Sequence, residues 1–529
     1  MSRLRRVFAV IALVLVVAPL AANAPLFDPD EGLHAAIAQE MVRRGDYVTP
    51  TFLGEPFLDK PILFFWAEAA SLRLFGDREA AVRLPPLLFG LLGMIGVAAL
   101  GRALFDEATG LLAGIVYGTM LLPLGVSQVA VHDVAVVPFM CAACSCLVAS
   151  AFRRKVPCAL VAGVALGLSI LTKGLVGVVF AGILGVCLAV ENPKHAVRLA
   201  TVLAIAGVVA ILVALPWYLA MERAHPGYLH YYFVERHLQG YLTATQRHAG
   251  RGWWYYMPIV AGGTLPWTGY LAGAAKASRG SRVRLVLWGW FLAGLVFLSV
   301  GESKLVTYAL PLFPALAILA AEHIVAAGGF GGRLAYSTFV ASLAILPIGA
   351  LTAVAIRYGG VTSVYWLIVS LISAAIAAVG IRLGRGAAGT IADRAAVVLR
   401  LPVMAVFGLL IVAPRAASWM TARELAASLS ADGALPPHVS VLDERIGSLV
   451  FYLSPALRAA ATPDRIDAES AAEAISRIRL APDEAVIAVR DDRLARFARL
   501  FAAPPVPSAH AGTFTVFRAG ALRKALPER

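Results

Sequence analysis

RLATVLAIAGVVAILVALPWYLA, residues 198–220, carries no charge after its first residue. About 20 apolar residues in a helix cross a hydrocarbon core of about 30 Å, and a helix that is apolar all round has no water-facing side. Similar segments lie near 82–101, 109–127, 129–151, 157–171, 174–190, 253–274, 285–301, 304–326, 334–356, 361–381 and 395–414. The 529-residue chain is 60% hydrophobic and 15% charged, with a mean hydropathy of +0.78. Soluble domains run at about 45–50% apolar and 25% charged. A soluble enzyme, a disordered protein and a disulfide-stapled secreted module are therefore excluded. The chain reads as a multi-pass membrane protein.

The N-terminus, MSRLRRVFAVIALVLVVAPLAANAP, has a basic start, an apolar stretch and an Ala22-Asn23-Ala24 ending, like a cleavable signal peptide. Pro25 directly after the candidate cleavage position opposes processing. The segment is expected to remain as the first of about thirteen spans. The five cysteines, Cys141, Cys144, Cys146, Cys158 and Cys187, all lie in apolar segments. They read as small buried hydrophobes, not as a metal site. The long polar regions contain no cysteine, so they hold no disulfide framework.

A formal net charge of +14 raises the question of nucleic acid. The basic residues instead fall in short clusters between apolar segments: Arg102, Arg153-Arg154-Lys155, Lys194 with Arg198, Lys276 to Arg284, Arg333 and Arg382 to Arg394. With Arg3, Arg5 and Arg6 in the cytoplasm, these clusters fall on cytoplasmic connections, as the positive-inside rule requires. No nucleic-acid partner is implied. The long polar stretches 24–81, 221–252 and 415–529 then share the outer face. His132-Asp133, Lys173 and Glu302-Ser303-Lys304 sit at span ends on the same side. Ionisable groups gathered at one membrane face suit a catalytic site there better than a structural role. The domain reading is a transmembrane domain over 1–414 with outer loops 24–81 and 221–252, and a small α/β domain over 415–529. In that tail PHVSVLDERIGSLVFYLS reads as strand, turn and helix, DAESAAEAISRIRL as an amphipathic helix, and EAVIAVRDDRLARFARL as strand then helix. Neither a Walker loop nor a Gly-x-Gly-x-x-Gly after a strand is present, so nucleotide binding has no support.

The first outer loop concentrates chemistry. FDPDEGLHAAIAQEMVRRGDYVTPTFLGEPFLDK covers residues 27–60. Asp28-Pro29-Asp30-Glu31 predicts a helix start with Asp28 as N-cap, Pro29 at N1 and Glu31 at N3. The helix is expected to lie in the membrane interface, its apolar side toward lipid. Asp59-Lys60-Pro61 follows a turn-rich return. A carboxylate near a lysine at a membrane surface suits transfer from a lipid-phosphate donor. The carboxylate takes the proton of an attacking hydroxyl, and cations neutralise the departing phosphate.

Taken in order, DPDEGLHAAIAQEM, GDYVTP, LDKPILFFW, AVRLP, Lys173-Gly174, Pro216-Trp217-Tyr218, VERHLQGYLTATQRHAGRGWWYYMP, Pro266-Trp267 and SKLVTYALPLFP resemble the polyprenyl-phosphate-dependent glycosyltransferases of the aminoarabinose-transferase and protein-mannosyltransferase group. The resemblance spans roughly residues 25–320. It implies an all-α polytopic membrane enzyme of the GT-C type with a small extracytoplasmic α/β C-terminal domain. The catalytic residues it implies are Asp30, Glu31 and Asp133, with Lys60, Arg83 and Lys304 near the donor phosphate. His34, Asp59, Glu235, His237 and His248 are its further candidates for substrate or metal contact. Asp59 stands in place of glutamate and Ile62 in place of the second proline of Glu-Lys-Pro-Pro. His34 stands where tyrosine is frequent and Gly240 where arginine is frequent. Glu235-Arg236-His237 leaves open whether Arg236 or His237 is the counterpart of the family's histidine.

Lys173 fits either an interfacial snorkel or a functional group, and Trp253-Trp254-Tyr255-Tyr256 fits an aromatic belt better than a sugar platform. Histidines 237 and 248 are able to help hold a divalent cation, although ligand spacing does not define one; no other cofactor is implied. The expected function is an inverting transfer of one sugar, hexosyl or pentosyl, at the periplasmic face of a bacterial inner membrane. The donor is a polyprenyl (undecaprenyl) phosphate-linked sugar, and the acceptor is lipid A, lipopolysaccharide or another cell-envelope glycan. The alternatives are a protein O-glycosyltransferase and a lipid-linked sugar flippase without chemistry. A transporter places charges near the midplane and often shows inverted repeats, and neither pattern is visible here.

Overall fold

The computed structural model describes all residues except 1, 22–23, 154–156, 244–249, 279, 331, 359–360, 386–397, 443–445 and 527–529. The chain forms two compact units. One comprises Met1–Ala22, Leu58–Phe64 and Arg83–Val412; the other comprises Asn23–Phe57, Phe65–Val82 and Ala413–Arg529.

The first unit is a bundle of apolar helices. It contains α1 (Ser2–Ala21), and α4 (Glu79–Leu104) from Arg83 onward. These are followed by α5 (Glu107–Thr119), α6 (Leu121–Ser127), α7 (Asp133–Arg153), α8 (Pro157–Lys173), α9 (Val176–Glu191) and α10 (Ala196–Ala224). Helices at Arg282–Val300, Phe313–Ala326, Arg333–Tyr358 and Ser363–Arg385, with Arg400–Trp419 as far as Val412, complete the apolar set. Among the described residues eight helices are long and apolar enough to cross a membrane, or nine if one bent pair counts as a span. Two expected spans depart from straight helix. Residues 109–127 bend by 67° between α5 and α6, and 253–274 break between Tyr256–Gly263 and Thr268–Ala277. The two breaks meet. Leu121 N–H donates to Leu265 O at 2.9 Å, and the Trp267 indole N–H donates to Thr119 Oγ1 at 3.0 Å. Irregular backbone at membrane depth survives only where protein groups replace the missing helical bonds.

Small residues set the helix spacing. A Cβ on Gly163 would lie 2.5 Å from Val209 Cβ, and one on Gly167 would lie 2.6 Å from Val213 Cβ. This Gly-x-x-x-Gly face therefore lets α8 and α10 pack backbone to side chain, where van der Waals contact and not hydrophobicity drives association.

The second unit joins the first outer loop to the tail. In the tail, β3 (Val439–Leu442), β4 (Ile466–Glu469), β5 (Val486–Arg490), β6 (Ala509–Ala511) and β7 (Phe514–Arg518) form a sheet in the order β4-β3-β5-β7-β6. The β3–β4 and β3–β5 pairs are parallel; β5–β7 and β6–β7 are antiparallel. Ile478, Val489, Phe497, Phe517 and Leu522 fill its core. The small α/β reading holds, with β6 and β7 added as an antiparallel edge.

In the loop, α2 (Asp30–Arg44) ends at Gly45, whose φ of 69° lets its N–H close on Met41 O. Two expectations need correction. Helix α2 does not turn an apolar side to lipid: every residue from Glu31 to Met41 is buried in protein, with Ala35, Ile37, Ala38 and Met41 fully enclosed. Nor does Asp28 cap it. Pro29 holds the cap position without a side-chain bond, and Asp28 Oδ1 instead accepts Ser448 N–H at 3.0 Å. The Ser448 hydroxyl donates to its other oxygen. A tertiary donor has taken the carboxylate that the local pattern assigned to the helix end.

Candidate functional site

The sequence-selected residues fall in both units. In the second unit the start of α2 presents Asp30 to solvent, while the next residue, Glu31, is fully buried. Glu31 Oε2 accepts Phe27 N–H at 3.1 Å, reaching back over the helix start. One turn on, buried His34 sets its ring edge-on to Phe65, with centroids 5.6 Å apart. Phe65 opens the part of α3 (Leu63–Phe75) that belongs to this unit, and α3 also carries buried Glu68.

In the first unit, residues dispersed from 59 to 308 form one connected group. Asp59 is gripped twice: the Tyr231 hydroxyl donates to Oδ1 at 2.6 Å, and Arg236 donates to Oδ2 at 2.9 Å. Both donors come from a π-helical segment, His230–Gln239, a wide turn frequent at functional sites. Burial first, then the neighbouring Asp59, pushes the Tyr231 hydroxyl up to about 12, so it stays a donor. His237, next on that segment, bonds through Nδ1 to Tyr232 O at 2.7 Å. Burial holds its pKa below the ordinary histidine value, and the charges of Lys60 and Arg236 add to the effect. A Cβ on Gly174 would lie 2.5 Å from His237 Nε2. Gly174, at φ 73°, thus brings the end of α8 directly against the π-helix. The preceding Lys173 forms an ion pair with Asp133 at the start of α7, and its ammonium lies 3.9 Å from the centre of the Tyr308 ring.

Lys304 is buried, and its ammonium donates to Arg251 O at 3.1 Å while Arg251 donates to Lys304 O at 2.8 Å. The Arg251 guanidinium stacks over Tyr255, 4.7 Å from the ring centre. Arg83 is buried in α4. Glu235 turns away from Asp59 toward His230 Nδ1, at 3.2 Å, with both side chains largely exposed. His248 lies outside the described residues. Among the described residues, no three His, Cys, Asp or Glu side chains converge as a metal-ligand set. The aromatic run 253–256 divides: Trp253 and Trp254 are 67% and 57% exposed, as an interfacial belt requires, whereas Tyr256 is fully buried.

Sequence reasoning passed over Tyr231, Tyr308, Arg251 and Glu68. Arg251 and Tyr308 lie inside the quoted motifs and Tyr231 three residues before one, but nothing in their spacing announces a long-range partner. Glu68 carried one signal, an acidic residue within the apolar run LFFWAEAA.

Residues 59–219 match the family described as dolichyl-phosphate-mannose-protein mannosyltransferase. The undecaprenyl phosphate-alpha-4-amino-4-deoxy-L-arabinose arabinosyl transferase of Enterobacter sp. (strain 638) is 34% identical over 307 residues, 56% of this chain and 55% of the relative. The protein of that name from Yersinia enterocolitica is 33% identical over 342 residues, 61% of each. The chain thus spans little more than half the length of these relatives. Among solved structures, ArnT from Cupriavidus metallidurans bound to undecaprenyl phosphate shares the fold at a TM-score of 0.76 and 22% identity, covering 99% of this chain and 98% of that one. The archaeal oligosaccharyltransferase AglB from Archaeoglobus fulgidus follows at 0.51 and 13%, covering 97% and 74%. Over 307–342 residues the chain is thus similar in sequence to arabinosyl transferases that take an undecaprenyl phosphate-linked sugar by name, residues 59–219 match the mannosyltransferase family, and the fold is that of ArnT.

Proposed function

We propose that the chain transfers one sugar from an undecaprenyl-phosphate-type donor to lipid A, lipopolysaccharide or another cell-envelope glycan, at the periplasmic face of a bacterial inner membrane. One observation carries this reading. Asp59, Lys60, Asp133, Lys173, His237 and Tyr308 come from distant parts of the chain, and charge-assisted contacts or close electrostatic influence link them at helix ends. The cluster sets Lys60, Lys173 and Arg236 against Asp59 and Asp133, and charged donors ordered in this way suit an anionic lipid headgroup.

In the proposed reaction Asp30 accepts the proton of the acceptor hydroxyl as its oxygen attacks the anomeric carbon. The bond from that carbon to the phosphate oxygen breaks, and the polyprenyl phosphate departs with the electron pair. Attack opposite the leaving group inverts the anomeric configuration. Lys60, Arg83 and Lys304 neutralise the departing phosphate. Asp133, with Glu31, completes the acidic set. Asp59 orients Lys60, its neighbour in the chain.

The test is to incubate the purified protein with radiolabelled undecaprenyl-phosphate sugars and candidate acceptors. Label should move to acceptor with wild type and not with Asp30→Asn. Retained transfer in Asp30→Asn removes Asp30 as base, and lipid translocation without transfer removes the enzyme.

A further inference from the structure

Glu68 lies on the same face of α3 as Phe65 and Leu72, all of them buried. It is 0% exposed, and among the described residues neither of its carboxyl oxygens has a hydrogen-bond partner. Glu31 on α2 is equally enclosed, and its carboxyl group acts electrostatically on that of Glu68. Glu31 is the acceptor of the pair, since Oε2 takes the Phe27 N–H. Three other titratable groups of the unit have contacts of their own. Asp77 accepts from Arg458 at 2.8 Å and Gln39 at 2.7 Å. Glu79 accepts from Tyr452 at 3.0 Å and pairs with Arg423 at 3.3 Å. His34 packs on Phe65.

An ionised carboxylate needs water, a donor or a cation, and among the described residues Glu68 has none of the last two and no access to the first. Protonation costs far less than burying such a charge. Burial, and then Glu31, accordingly drive Glu68 well above the ordinary glutamate range.

We propose that Glu68 works as a neutral carboxylic acid beside Glu31, a positioning residue that keeps an unpartnered negative charge out of the packing between α3 and the start of α2. The inference rests on the proposed role of Asp30 as the base, because Asp30 lies at that helix start. When Glu68 ionises, an unpartnered charge is buried there, and it finds relief only if α2 shifts from α3 or water enters. Transfer therefore fails on the alkaline side. The folded chain holds a proton that the unfolded chain releases above the ordinary glutamate value of 4.5. This contribution is complete below that pH and is lost as pH rises toward the ionisation of Glu68 in the folded state.

The experiment compares the full chain with Glu68→Gln and Glu68→Met in detergent, reading thermal unfolding and sugar transfer from about pH 5 to pH 9. The unfolding temperature of wild type should fall with pH more steeply than that of either neutral variant, by the linkage of one proton. The ratio of transfer at pH 9 to transfer at pH 7 should rise severalfold in Glu68→Gln. Equal pH slopes in wild type and both variants would overturn the proposal. So would loss of transfer at every pH in Glu68→Gln with an unchanged slope, since that marks an ionised carboxylate. If wild type transfers no sugar, the transferase reading fails, and the unfolding slopes still decide the state of Glu68. One folded variant suffices for that comparison.

Discussion

Arg236 and Asp59 lie 177 positions apart in the chain and meet in a 2.9 Å ion pair, with the Tyr231 hydroxyl closing on the other carboxylate oxygen at 2.6 Å. Both oxygens of Asp59, the residue before Lys60, are thereby held. Arg236→Gln should raise the donor KM by about fivefold, near 1 kcal/mol for a half-exposed charge-assisted bond. Arg236→Lys should restore only part of this, because an ammonium lacks the planar fork. Steady-state kinetics in the donor decides it; an unchanged KM in Arg236→Gln removes the orienting role.

The Lys173–Asp133 pair is more deeply placed, with the side chains 13% and 12% exposed. Removing one partner strands a buried charge at a cost of about 3–5 kcal/mol. Lys173→Met should lower the unfolding temperature sharply and abolish transfer. Lys173→Met with Asp133→Asn should be more stable than Lys173→Met alone. A double variant as unstable as the sum of the two singles would mean the charges do not interact.

His237 predicts a pH dependence of its own. Burial, with Lys60 and Arg236, holds its pKa below the ordinary value of 6.5. The unfolded chain therefore takes up a proton that the folded chain refuses as pH falls through that value. Stability is complete above it and declines on acidification until His237 protonates in the folded state. His237→Gln should flatten the acid side of a plot of unfolding temperature against pH. An acid limb identical to wild type would assign the effect to other groups.

The docking of α2 depends on two glycines. A Cβ on Gly447 would lie 2.2 Å from Leu33 N, and one on Gly32 would lie 2.3 Å from Ser448 N. Backbone cannot yield as a side chain does, so Gly447→Ala should cost at least the 1–3 kcal/mol or so of ordinary overpacking. It should also free the Asp28–Ser448 tether. Limited proteolysis between residues 45 and 57 should become faster while the apolar helices stay protected. Unchanged cleavage would show that the contact yields without penalty.

Membrane character, the helical segments and the α/β tail were legible because each rests on a local pattern: runs of apolar residues and strand–helix alternation. The motif residues were legible by type and order. Their engagement was not. Nothing in Glu235-Arg236-His237 says that a π-turn aims Arg236 at Asp59 and His237 at the end of α8, while Glu235 faces water. Nothing near Asp28 says that a serine 420 positions away will take its carboxylate from the helix end.

Composition and periodicity by themselves determined that this chain lies in a membrane, because the cost of placing charge in hydrocarbon is paid residue by residue and leaves its mark along the sequence. Tertiary structure alone decided which carboxylates are ion-paired, which are hydrogen-bonded and which, like Glu68, have neither among the described residues. The energy of a charged group depends on the distance to its partners and on the water left around it, and both are set only when distant segments meet.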